Sequence, residues 1–78
     1  MNKCQQIRQL LLAEYDPESP DTITRRKHEG TTFYEFIANV VTRDVIAGIE
    51  AMGLKLNLIE SMTTEPGLFK VSFVMEGP

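Results

Sequence analysis

The chain has 78 residues, a formal net charge of −3 and 42% hydrophobic residues, which allows one domain and excludes a globally disordered chain. The acidic balance also excludes general electrostatic attraction of the whole molecule to nucleic acid or anionic lipid. No apolar run is long enough to span a bilayer, the N-terminus lacks the charged-then-apolar order of a secretory signal, and the single cysteine cannot close an internal disulfide. These features lead us to expect a cytoplasmic protein without a membrane partner. A domain this small sits near the lower limit for independent folding, and dimerisation would give half-exposed elements cover.

Residues 2–15 read as a helix. Ile7, Leu10, Leu11 and either Glu14 or Tyr15 recur at three-and-four spacing, with Gln5, Gln6, Arg8 and Gln9 on the other side. Asn2 is placed to cap it, and Asp16-Pro17 ends it, because the residue before proline is pushed out of the α region. Residues 16–22, DPESPDT, form a polar, acidic connector. Its spacing lacks the turn glycine of a calcium loop, so it reads as a solvated surface loop and no metal is expected there.

Residues 23–41 read as a hairpin. Glu29-Gly30 is an acid–glycine turn signal between two extended segments. It would set His28 against Thr31, Arg26 against Phe33, Arg25 against Tyr34 and Ile23 against Phe36. The first strand holds a single strong apolar residue, Ile23, and so reads as a charged edge strand.

The longest apolar stretch, residues 31–53, can be read in two ways. As one helix it carries a capping-box pattern at Thr32 and Glu35, but its two halves then point their apolar stripes in different directions and Asp44 falls inside the first. A break near Thr42 removes the conflict: a strand through Val41, then a helix over 43–52. Thr42 is its N-cap, Asp44 lies in its first turn, and Gly53 lies just past its end. Strand then helix is the favoured reading, with helix–kink–helix as the alternative.

Residues 54–76 read as a second hairpin. Leu54, Leu56 and Leu58 alternate with Lys55, Asn57 and Ile59, and Phe69, Val71, Phe73 and Met75 alternate with Lys70, Ser72 and Val74. Glu65-Pro66-Gly67-Leu68 has type II turn chemistry. Setting Glu65 opposite Leu68 puts Leu58 across from Met75 and Met62 across from Val71, with every apolar alternate on one face. Glu60 is the exception, falling opposite Phe73 on that apolar face.

The expected fold is α+β, a two-layer sandwich in the order α-β-β-α-β-β. It has a small, mostly antiparallel sheet and both helices on one face, all within a single domain spanning 1–78. No catalytic constellation is visible. The isolated glycines form no phosphate loop, and one cysteine with one histidine cannot make a zinc site. We therefore expect no cofactor, no metal, no catalytic residues and no enzyme. His28 reads as a turn histidine, and Cys4, in the first turn of the first helix, as an incidental thiol. Glu60 reads as a rim carboxylate, an ion-pair partner or the sign of a misplaced register.

Two function classes remain. The leading expectation is a small non-catalytic protein–protein interaction module — an adaptor, inhibitor or accessory subunit — working as a homodimer. Phe33, Ile37 and Val41 on the uncovered side of the second strand would form its contact. The alternative is a nucleic-acid-binding module using the basic strand Arg25, Arg26, Lys27 and His28 with the aromatic Tyr34. Phosphate contacts would there combine with base stacking.

Overall fold

The computed structural model describes residues 2–15 and 23–75. The expected acidic connector 16–22, the end of the last hairpin at 76 and the side chain of Tyr15 lie outside the described residues. In chain order the elements are α1 (Lys3–Tyr15), β1 (Thr24–His28), β2 (Thr31–Ala38), α2 (Arg43–Glu50), β3 (Lys55–Ser61) and β4 (Phe69–Met75). The fold is α+β in the expected order. Its four strands form one sheet, β1-β2-β4-β3, with every neighbouring pair antiparallel.

Local sequence chemistry sets most of the boundaries. At the start of α1, the Asn2 side chain accepts from the Gln5 backbone N–H at 2.9 Å, and the Gln5 side chain accepts from the Asn2 N–H at 3.1 Å. This reciprocal capping satisfies two N–H groups that the helix itself cannot. Thr42 caps α2 by accepting from the Val45 N–H at 3.2 Å, and Asp44 sits in the first turn. The β1–β2 turn has positive φ at both Glu29 (51°) and Gly30 (81°), the signature of a type I′ hairpin whose twist matches its strands. The register His28↔Thr31, Arg26↔Phe33 and Arg25↔Tyr34 follows from it, as the sequence led us to expect.

Both helices cover one face of the sheet. Ile7 and Leu11 from α1 and Val45 and Ile49 from α2 pack on Tyr34, Phe36 and Ala38 of β2 and on Val71 and Phe73 of β4. The Phe36 and Phe73 rings lie nearly parallel, 6.4 Å apart, at the centre of this core. The helices approach each other closely where Gly48 faces Leu10: a Cβ on Gly48 would lie 2.7 Å from a Leu10 methyl.

Two expectations need correction. The strand does not run through Val41 but ends at Ala38. Beyond it the chain turns away from the sheet to reach the Thr42 cap, so the alternation of sides stops. Val40 is left exposed and Val41 packs against the helix-side core.

The second correction concerns the last hairpin. The Glu65–Leu68 turn exists, with Leu68 N–H donating to the Glu65 carbonyl at 3.2 Å and Gly67 at φ 89°. It does not set the strand register. A type II turn matches sheet twist poorly, and here it sits inside a longer loop that closes where Met62 N–H donates to the Leu68 carbonyl at 2.9 Å. Ser61 pairs with Phe69, Glu60 with Lys70, Ile59 with Val71 and Leu58 with Ser72. A bulge then intervenes before Leu56 pairs with Phe73. Asn57 is the extra residue. Leu58 therefore does not face Met75, nor does Glu60 face Phe73.

Candidate functional site

Register assigns each residue to a face. The face away from the helices carries three rows across the sheet. Arg26, Phe33, Val74 and Lys55 form one; Thr24, Glu35, Ser72 and Leu58 the next; Ile37, Lys70 and Glu60 the third. Of the expected contact residues, Phe33 and Ile37 lie on this open face. Val41 does not, because the strand has already ended.

The middle of the open face is electrostatically closed. Glu35 Oε1 accepts from Arg26 Nε at 3.4 Å and Oε2 from Nη2 at 3.5 Å, and Lys70 Nζ stands 3.9 Å from the same Oε2. Its side chain is only 12% exposed. Burial alone would push its pKa up. The Arg26 hydrogen bond, the Lys70 charge and a hydrogen bond from Ser72 outweigh that and hold it below the usual carboxylate value. Arg26 also lies over the Phe33 ring at 4.4 Å from the centroid, a cation–π contact. Ser72 is fully buried beneath this layer, and Asn57 Nδ2 donates to its hydroxyl at 3.4 Å.

Beside that cluster the face carries four large apolar side chains, with Lys55 and Glu60 at its β3 rim. Ile37 is 44% exposed and Leu58 39% exposed, with Phe33 and Val74 half-buried. Leu58 was not legible as a surface residue in the sequence, because an unbroken alternation puts it with Leu54 and Leu56. The one signal was Asn57, a poor strand former in the middle of the run. Glu60, which looked anomalous on an apolar face, sits opposite Lys70 on the open one.

The basic strand does not form one patch. Alternation puts Arg26 and His28 on the open face, while Arg25 and Lys27 point to the helix side. Arg26 is engaged with Glu35 and Phe33, and His28 Nε2 is 4.0 Å from the Glu29 carboxylate. Tyr34 is buried on the helix side and is not part of the open face. It instead joins Asn2, Lys3, Cys4 and Arg25 around a cleft of about 460 Å³ at the start of α1. The Lys3 ammonium there donates to the Met52 carbonyl, and Cys4 is a half-buried free thiol.

Among the described residues no cluster of three or more His, Cys, Asp or Glu is placed to hold a metal ion, and no helix is long and apolar enough to cross a membrane. Compared with protein-family models, curated proteins and solved structures, the chain shows no significant match.

Proposed function

We propose that this chain is a small non-catalytic protein–protein interaction module that works as a homodimer and offers the dimer to a larger partner as an adaptor, inhibitor or accessory subunit. The observation that carries this reading is the open face of the sheet. The two helices pack on β2 and β4 from one side, while on the other side Ile37 and Leu58 are exposed and Phe33 and Val74 are only half-buried. Large apolar side chains grouped on one exposed sheet face favour association, since each Å² removed from water contributes about 25 cal/mol. The Arg26–Glu35–Lys70 cluster suits the same reading. The Glu35 carboxylate already has both cations as partners within the chain, so a partner laid over it buries no unpaired carboxylate, and the one surplus positive charge sits on cationic side chains that are nearly half exposed.

The nucleic-acid alternative is weaker in this geometry. Its residues are divided between two faces, its aromatic is buried, and one of its arginines already holds a carboxylate. Light scattering across a range of concentrations tests the main reading, with twice the chain mass as the expected result. A single-chain mass at every concentration, together with salt-sensitive binding of single-stranded nucleic acid, would replace it with the alternative.

A further inference from the structure

The two edges of the sheet are managed differently. All five residues of β1 are exposed, and Arg25, Arg26, Lys27 and His28 line that edge. A charged edge discourages another strand from pairing with it. The opposite edge, β3 (KLNLIES), has no such run. It carries one lysine and one glutamate with Leu58 and Ile59 between them. Among the described residues no strand pairs with its outer side. Leu58 is 39% exposed on the open face, and its neighbour Ile59 is 41% exposed on the helix face. A partner lying on the open face would cover Leu58 and leave Ile59 wet. A strand running alongside β3 covers both.

We propose that the second strand is β3 of another copy of this chain, paired antiparallel across a two-fold axis with Lys55 opposite Glu60 of the partner subunit and Leu56 opposite the partner's Ile59. This rests on the homodimeric reading above but sets the contact between copies at the sheet edge, which leaves Phe33, Ile37 and Val74 of the open face to the larger partner. In an antiparallel pair related by a two-fold through the sheet, opposed residues must lie on the same face. In a regular strand Lys55 and Glu60, five positions apart, would lie on opposite faces. The bulge at Asn57 changes that. It places Lys55, Leu58 and Glu60 on the open face and Leu56 and Ile59 on the helix face. The pairing then matches lysine with glutamate twice and apolar with apolar twice, and it brings the two Leu58 side chains together near the axis. The surface is self-complementary, as an isologous interface requires. It also closes. The resulting eight-stranded sheet has a β1 strand at each end, so both remaining edges carry the cationic run and growth stops at two copies.

Charge reversal tests the pairing in the full chain. Lys55→Glu places two like-charged pairs in each dimer and is expected to weaken dimerisation at least tenfold by light scattering. Glu60→Lys alone is expected to do the same, and the double swap Lys55→Glu/Glu60→Lys is expected to restore association. Far-UV circular dichroism verifies that each variant is folded. A second variant needs no loss of stability to be informative. Lys55→Cys/Glu60→Cys in a Cys4→Ser background is expected to oxidise to a covalent dimer, whereas Ile37→Cys in that background is not. If the protein dimerises but ignores both charge reversals, and Ile37→Cys crosslinks instead, the β3 pairing is wrong and the homodimer stands on its open face. A single-chain mass at all concentrations overturns both.

Discussion

Deleting Asn57 separates the observed strand pairing from an unbroken one. In the structure two residues, Asn57 and Leu58, oppose Ser72 alone. Removing Asn57 leaves a regular strand in which Leu56, Leu58, Ile59 and Glu60 keep their present faces. The loss is then one side-chain contact, Asn57 Nδ2 to the Ser72 hydroxyl at 3.4 Å, about 0.5–1 kcal/mol or less at that length. The Ser72 hydroxyl still has Glu35 as a partner. In an unbroken strand the same deletion would turn one half over. Leu54, which is 4% exposed, and Leu56 would leave the core, at a cost on the scale of emptying a buried leucine site, about 2–5 kcal/mol. Urea unfolding followed by circular dichroism, at a concentration where both proteins have the same mass, distinguishes the two outcomes. A loss above about 2 kcal/mol would refute the bulged register and the facing of Lys55 and Glu60 built on it.

Glu35→Gln is expected to cost about 0.5–1 kcal/mol at neutral pH, a modest figure because Arg26 and Lys70 are themselves nearly half exposed. The folded-state pKa of Glu35 is lowered, so its stabilisation is present above the unfolded carboxylate value and lost as pH falls through the folded one. The wild-type advantage over Glu35→Gln should therefore shrink on acidification below about 4, and an advantage that grows there would contradict the assignment. Thr42→Ala removes the α2 N-cap and is expected to cost about 1 kcal/mol in thermal or urea unfolding. Glu29→Asn is expected to gain about 1 kcal/mol by the same measurement, because Glu29 holds a left-handed φ of 51° that asparagine adopts more readily.

The parts of the fold that were legible in the sequence are those where a local signal and a tertiary need coincide. Glu29-Gly30 both turns the chain and sets the β1–β2 register, so one dipeptide decided the placement of ten residues. Thr42 heads α2 because capping chemistry is local, whereas the helix ends at Glu50 with Ala51 as its C-cap, two residues before the expected end, and Gly53 at φ 90° closes the turn that follows. The Pro66-Gly67 turn was equally visible, yet it decided little. Its geometry does not suit a tight hairpin, and the pairing was settled further along by the packing of Leu54, Leu56, Val71 and Phe73. The end of β2 was hidden for a related reason. Val40 and Val41 continue the β-branched composition of a strand, but the chain must leave the sheet in time to place Thr42 at the head of α2.

The open face was less legible than the fold, and the reason is parity. A single extra residue changes the side of everything beyond it, so the bulge at Asn57 moved Leu58 and Glu60 to the face away from the helices. Sequence patterning placed Phe33 and Ile37 on the side away from the helices because β2 is regular as far as Ala38. It did not show that Leu58 and Ile59 are exposed, because composition alone cannot say which strand ends up at an edge. Edge position follows from β4 inserting between β2 and β3, a long-range pairing that buries Val71 and Phe73 at the centre of the core. That insertion also puts the cationic strand at one rim and the uncharged middle of β3 at the other. The asymmetry between the two rims thus originates in the same topology that builds the core, and it gives the sheet one edge lined by cations and one whose middle is apolar.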